Sequence, residues 1–221
     1  MDQFKRIGPF FLSLMFPKTC VSCRGEGSHF CQDCLSLLPL TQWTYPLPPS
    51  SPLSTLFSAV SYEEPLARLL IRKLKYTPFL RDLSLQCAFL IGAHIVETRP
   101  DQDFSRFLLV PVPLHKKRLK WRGFNQAEEI AKELSGLLGA ELVSNVLFRV
   151  RPTKPQVELS EKERIENIKG AFLVKDSALV KNRDILLVDD VSTSGGTMEE
   201  CARALQGAGA SRVFGAVVAR G

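Results

Sequence analysis

Between positions 185 and 197 the chain passes from four apolar residues (Ile185, Leu186, Leu187, Val188) to two acids (Asp189, Asp190). A loop of small residues ending in Gly195, Gly196 and Thr197 follows. A short apolar run of this kind suits a strand covered on both faces. Met198, Cys201, Ala202 and Leu205 then recur at helical spacing, and Gly207 and Gly209 supply a stop. The expected path is therefore a buried strand, two acids where it ends, a tight turn and a helix. Such a turn points free backbone N–H groups and the positive end of a helix at one spot, which suits a phosphate. Thr193, Ser194 and Thr197 add hydroxyl donors, and Gly195 and Gly196 let an anion approach the main chain closely. Each hydrogen bond to a charged partner contributes about 1.5–3 kcal/mol.

The acids narrow the kind of phosphate. Asp189 and Asp190 suit the vicinal hydroxyls of a sugar, or Mg²⁺ held directly or through water. A sugar phosphate satisfies both halves of the motif. The pattern resembles the ribose-5-phosphate fingerprint of type I phosphoribosyltransferases: apolar strand, Asp-Asp, two residues, then Thr-Ser-Gly-Gly-Thr. Neither a Gly-x-x-x-x-Gly-Lys-Ser/Thr loop nor a Gly-x-Gly-x-x-Gly fingerprint is present. An ordinary strand-to-helix turn capped by Asp does not need two acids, three hydroxyls and two glycines.

Cys20-x-x-Cys23 and Cys31-x-x-Cys34 form a second constellation. Two such pairs can place four thiolates tetrahedrally around Zn²⁺; the alternative is two disulfides in a secreted protein. Cys87 and Cys201 fall singly within helical patterns. The apolar run 7–16 after Lys5 and Arg6 superficially resembles a signal peptide but lacks a small-residue cleavage site. Structural zinc in a cytoplasmic protein is the expectation, with the run 7–16 packed on the knuckle or the main domain. Four cysteines leave no open position for catalysis, and His29 is expected to be a bystander.

The chain of 221 residues divides in sequence into a zinc-binding module (1–38), a Pro-rich, uncharged linker (39–54) and a main domain (55–221). No apolar run is long enough to span a bilayer. Strands are expected at 57–62, 107–112, 143–150, 171–174, 185–188 and 213–219, and helices at 63–75, 79–96 and 126–138. This alternation implies a parallel α/β sheet with ligands at the carboxyl ends of its strands.

The net charge of +6 resides in 63–122, with twelve basic against six acidic side chains. One cluster, Arg68, Arg72, Lys73 and Lys75, falls on a helix. The other, Lys116, Lys117, Arg118, Lys120 and Arg122, falls in a loop after a strand. Cations at a strand end can neutralise a pyrophosphate. A solvated loop is the bland alternative, against which stand the position beside a strand end and the separate phosphate loop; contact with a nucleic-acid backbone is a third reading. Trp121 and Phe124 among them suit either base stacking or the core.

Several further segments carry a wider resemblance. They are the Cys knuckle, Leu74-Lys75-Tyr76, Pro111 to Arg118 leading into Arg122-Gly123-Phe124-Asn125-Gln126, 149–156, Arg164 with Asn167 and 170–172, and the Asp-Asp loop. Together they are similar to the ComF family of phosphoribosyltransferase-like proteins, with Gly196 where family members often have Ala. The resemblance implies an α/β, parallel-sheet type I phosphoribosyltransferase-like domain with a small N-terminal four-cysteine zinc module. It implies a role in natural transformation, handling incoming single-stranded DNA inside the cell, with competence or recombination proteins as partners. Carried over by residue, 193–197 bind the 5-phosphate of phosphoribosyl pyrophosphate and Asp189 and Asp190 bind its ribose. Mg²⁺ bridges ribose and pyrophosphate, and Lys116, Lys117, Arg118 and Arg122 draw charge from the leaving group. The alternative is a metabolic, amidophosphoribosyltransferase-like enzyme acting on an unidentified nitrogen nucleophile, with no DNA role. Arg149, Arg151, Gln156 and Arg164 suit a lid over the ligand or a nucleic-acid face, and His115 is a weak candidate for a general base.

Overall fold

The computed structural model describes residues 17–151 and 168–221; the run 7–16 and the lid residues Gln156 and Arg164 lie outside them. After the short helix α1 (Gln32–Ser36), strand β1 (Thr55–Ser61) leads through helices α2 (Pro65–Lys75) and α3 (Ser84–Thr98) to β2 (Leu108–Pro111). Helices α4 (Lys116–Arg122) and α5 (Gln126–Leu138) follow, then β3 (Glu141–Leu142), β4 (Leu147–Arg149) and β5 (Phe172–Val174). The chain continues through β6 (Ile185–Ser192), α6 (Gly196–Gly207) and β7 (Val213–Arg220). Five strands form one sheet in the order β1-β7-β6-β2-β3, every neighbouring pair parallel. Strands β4 and β5 pair antiparallel in a separate two-stranded sheet.

Because successive strand residues face opposite ways, β6 feeds two cores. Leu186 and Val188 join a cluster with Phe57, Ile91, Ile130 and Leu134. Ile185 and Leu187 join another with Met198, Cys201 and Leu205 of α6. Both faces are thus covered, which explains the unbroken apolar run. A Cβ on Gly215 of β7 would lie 2.8 Å from Leu56 Cδ1 and 2.9 Å from Met198 Cε, so close packing of the layers there needs glycine.

Helix α5, which follows β2, packs with α3 on the first face, whereas α6, which follows β6, packs on the second. The connections leaving β2 and β6 therefore part to opposite faces between adjacent strands. That opens a crevice at the strands' carboxyl ends, the usual ligand position in such sheets.

The cysteine-bearing segment rests on the first face. Cys20, Phe30, Cys34 and Leu38 belong to the cluster that contains Phe57 and Ile91, and Asp82 receives Lys18 Nζ at 2.7 Å and His29 Nδ1 at 2.9 Å. Within 39–54, the Thr41 N–H donates to the Ala59 carbonyl at 2.8 Å, Tyr45 bridges Leu56, and Leu53 is buried.

Four expectations change. Strand β6 does not end at the acids but runs through them to Ser192, because Asp189 and Val191 stay in register with Val217 and Ala219 of β7. The basic stretch after β2 is a helix, not a loop. The His115 ring caps its start by accepting the Lys117 N–H, and Gly123, at φ +83°, closes its end. Its Lys, Arg and Leu residues are good helix formers, although it lacks the apolar periodicity by which helices are recognised. Of the stretch 143–150 only Leu147–Arg149 is strand, since a bend over 144–146 separates it from β3. Finally, α3 starts at Ser84 rather than 79, after a turn in which Phe79 takes φ +54° and a single 3-10 turn over Arg81–Leu83.

Candidate functional site

At the mouth of the crevice the loop from β6 to α6 is built from small residues that leave its main chain open. Gly195 sits at φ +79°, a left-handed conformation that a side chain would strain, and Gly196 opens the helix. Residues 191–198 line a small cup of about 20 Å³, and Thr193 and Ser194 are exposed. The glycine turn therefore faces solvent, as a binding loop must. Ser192, absent from the expected donors, belongs with them: its hydroxyl is buried, lines the cup and has no hydrogen-bond partner among the described residues. The sequence carried the signal, since Ser192 directly precedes the hydroxyl run.

The acids lie one step inside. Strand alternation turns Asp190 to the α2–α3 face and Asp189 to the α6 face, so they reach the crevice from opposite sides of one strand. Asp190 Oδ1 pairs with Lys75 Nζ at 3.0 Å, and the carboxylate is 3% exposed against 24% for the lysine side chain. Asp190 Oδ2 is buried and has no hydrogen-bond partner among the described residues. Asp189 Oδ1 accepts the Asp190 backbone N–H at 2.8 Å. Burial pushes the Asp189 carboxyl well above the usual carboxylate range, the Asp190 charge adds to this, and Lys75 opposes it. Burial also pulls the Lys75 ammonium down, but attraction to Asp190 and Asp189 outweighs it and leaves the lysine above its ordinary 10.5.

Lys75 is the main residue that sequence reasoning did not place at the site. It stood out as part of Leu74-Lys75-Tyr76 and of a basic cluster, but only the fold brings the end of α2 against β6. A buried carboxylate oxygen left without a partner costs about 1–3 kcal/mol. A second acid beside it, Asp189, brings further carboxylate oxygens to the same spot, which a cation or hydroxyl donors would satisfy. These residues fit Mg²⁺, which is commonly held by one or two carboxylates together with a substrate phosphate.

The expected pyrophosphate cations divide into two groups. Arg122 is buried and donates to Gln126 Oε1; burial works against its charge and Asp190 works for it. Lys116, Lys117 and Arg118 project from α4 into solvent and make no ion pair among the described residues. Asn125 fixes the turn behind them: its Nδ2 donates to the Val112 carbonyl at 3.0 Å, and its Oδ1 accepts the Ala127 N–H at 3.2 Å. Phe124 is buried in the core, whereas Trp121 is exposed. His115 Nδ1 is occupied by the Lys117 N–H at 3.3 Å.

The cysteines form a separate centre. Sγ of Cys20 and Cys34 lie 3.8 Å apart, those of Cys23 and Cys31 lie 3.6 Å apart, and all four fall within 4.8 Å of one another. A tetrahedron of sulfurs about 2.3 Å from zinc has edges of about 3.8 Å, whereas a disulfide needs about 2.05 Å. The set is compatible with structural zinc. The backbone N–H groups of Cys31 and Gly25 point at the Sγ atoms of Cys20 and Cys23, at 3.5 and 3.4 Å, as donors around a thiolate centre do. His29 is engaged by Asp82 instead.

A parallel sheet whose central strand delivers two acids and a glycine loop to a switch-point crevice defines a phosphoribosyltransferase-type fold, and residues 120–221 match the phosphoribosyl transferase domain family. The chain is 34% identical over 204 residues to the DNA utilization protein YhgH of Salmonella typhi, covering 88% of this chain and 80% of that one. Over 157 residues it is 34% identical to Competence protein F of Haemophilus influenzae, covering 69% and 66%. Over 103 residues it is 33% identical to Competence protein ComFC of Bacillus subtilis, covering 46% and 39%. The chain belongs to the ComF family. No helix among the described residues is long and apolar enough to cross a membrane.

Proposed function

We propose that this protein binds phosphoribosyl pyrophosphate with Mg²⁺ and acts in DNA uptake, handling incoming single-stranded DNA in the cytoplasm together with competence or recombination proteins. The observation that carries the sugar-phosphate half is Asp190 Oδ2, buried without a partner among the described residues and one step from an open glycine cup. The DNA half rests on relatives named for competence and DNA utilization. In this reading the loop 193–197 and Ser192 hold the 5-phosphate, and Asp189 and Asp190 hold the ribose hydroxyls and the metal. Arg122 stands beside the pyrophosphate, with Lys116, Lys117 and Arg118 drawn in from α4. Bound Mg²⁺ supplies charge neutralisation for the pyrophosphate. The protein's own contribution is positioning and fixed electrostatics. We further propose three units along the chain: a structural zinc module at 1–38, a connecting segment at 39–54 and the phosphoribosyltransferase-like domain at 55–221.

A second reading is transfer of phosphoribose to a nitrogen nucleophile without a DNA role. It is favoured by a cavity of about 450 Å³ between α4 and β4, lined by His115, Leu147, Phe148 and Arg149, which has room for an acceptor. In that reaction the bond from the anomeric carbon to pyrophosphate breaks as the bond to nitrogen forms.

A transformable host carrying Asp189→Asn with Asp190→Asn tests the first reading. Transformation should fall at least tenfold while the protein accumulates normally. Unchanged transformation contradicts it, and pyrophosphate release with a nitrogen acceptor in the same host's purified parent protein supports the second reading.

A further inference from the structure

Exposed arginines over much of this molecule are neutralised: Arg81 by Glu129, Arg106 by Asp103, Arg183 by Glu141, Arg203 by Glu199 and Glu200, and Arg212 by Asp184. Helix α2 differs. Among the described residues Arg68, Arg72 and Lys73 have no acidic partner, and Arg68 donates only to the Glu63 carbonyl, at 2.9 Å. Arg68, Arg72 and Lys75 line one cavity of about 480 Å³, together with Tyr62 and Tyr76. Tyr76 is 52% exposed, and just beyond it Trp121 of α4 is 60% exposed. The two are joined through Phe79, whose N–H donates to the Tyr76 carbonyl and whose ring meets Trp121 edge-on at 5.3 Å. Lys120 precedes Trp121 and is likewise exposed and unpaired among the described residues.

We propose that the α2 cavity and the Tyr76–Trp121 edge form a track for single-stranded nucleic acid. Arg68 and Arg72 take backbone phosphates, and Tyr76 and Trp121 take unpaired bases. Unneutralised cations interleaved with exposed aromatic faces are what a single strand needs and what a duplex, whose bases are already stacked, cannot fully use. The cavity is large enough for a nucleotide, and the residues that line it include no acid among the described residues. The track rests on the DNA reading above and adds where the strand lies. It also places that strand beside Lys75, which faces the cavity and holds Asp190 of the sugar site at 3.0 Å.

Fluorescence anisotropy of a labelled 20-mer of deoxythymidine, titrated with the full chain at several salt concentrations, tests the track. Arg68→Ala with Arg72→Ala should lower the slope of log affinity against log salt by about 1.4, at about 0.7 per phosphate lost from a single strand. Arg72→Lys should retain its share of the slope. Tyr76→Ala and Trp121→Ala should each weaken binding about tenfold with little change in slope. A duplex of the same length should bind the parent more weakly and be insensitive to the two aromatic substitutions. All four positions are solvent-facing, and matching thermal melts would certify the folds. If the parent binds the 20-mer and these variants bind it equally well, the track is wrong and the DNA reading stands. If the parent binds no oligonucleotide, the DNA reading fails and the track with it. Equal affinity for duplex and single strand, or equal loss on both from the aromatic variants, overturns the assignment of bases to Tyr76 and Trp121.

Discussion

The cysteine centre and the end of β6 both gather ligating atoms, yet they are finished to different degrees. Four sulfurs stand at the spacing of a closed tetrahedron and receive backbone N–H donors, so nothing is left over for a substrate. At β6 one carboxylate oxygen and one hydroxyl are buried without partners among the described residues, and a glycine turn holds its main chain open. A saturated centre stabilises a fold, whereas an unsaturated one waits for a ligand. The proposed assignment thus gives the cysteines an architectural role and the acids a binding role.

Removing metal should break the closed centre with the largest effect. A structural zinc contributes about 10–16 kcal/mol, and α1 has only five residues. Chelation, or Cys34→Ser, should abolish a one-to-one zinc content by elemental analysis and expose Cys20 and Cys23 to thiol reagents. The cluster shared with Phe57 and Ile91 should loosen with it. A metal-free protein with an unchanged melt would show that the sulfurs are not the staple.

Lys75→Met sharpens the contrast from the open side. Losing one partner of a mostly buried pair costs about 3 kcal/mol, and Asp190→Asn in the same chain should recover part of it. The sign with pH follows from the raised lysine pKa. The contribution is fully present below the unfolded value of 10.5 and is lost as pH rises through the higher folded value. The difference in stability between parent and Lys75→Met, measured by urea unfolding, should therefore shrink in strong alkali and stay flat from neutrality to pH 10. Growth of that difference with alkali would contradict the pair.

Gly215→Ala should cost about 1–3 kcal/mol, because its methyl would meet Leu56 and Met198 at under 3 Å. Gly195→Ala should cost about 1–2 kcal/mol through its positive φ. The two differ in what else they change: the first should leave ligand affinity alone, whereas the second should weaken phosphate binding by reshaping the cup.

The helix at 126–138 and the parallel sheet were legible because burial enforces periodicity on their residues: Ile130, Ala131 and Leu134 repeat at one helical face, and 185–188 is buried on both sides. Helix α4 was not, since it is short, carries five cations and buries little besides Arg122, so its capping by His115 and Gly123 was the only local signal. The loop after β6 could be read because its chemistry is contiguous. Lys75 could not be placed, because it lies more than a hundred residues from Asp190 and only the return of the chain across the sheet joins them. Proline-rich composition marked 39–54 as extended, but not the Thr41 and Tyr45 bonds that lay it along β1.

Calorimetric titration of phosphoribosyl pyrophosphate into the zinc-loaded protein, with and without Mg²⁺, tests the open centre most directly. The expected result is one site per chain that tightens at least tenfold with Mg²⁺ and disappears in Asp189→Asn with Asp190→Asn. No heat of binding in the parent, or equal binding by the double variant, would contradict a sugar-phosphate site at the end of β6.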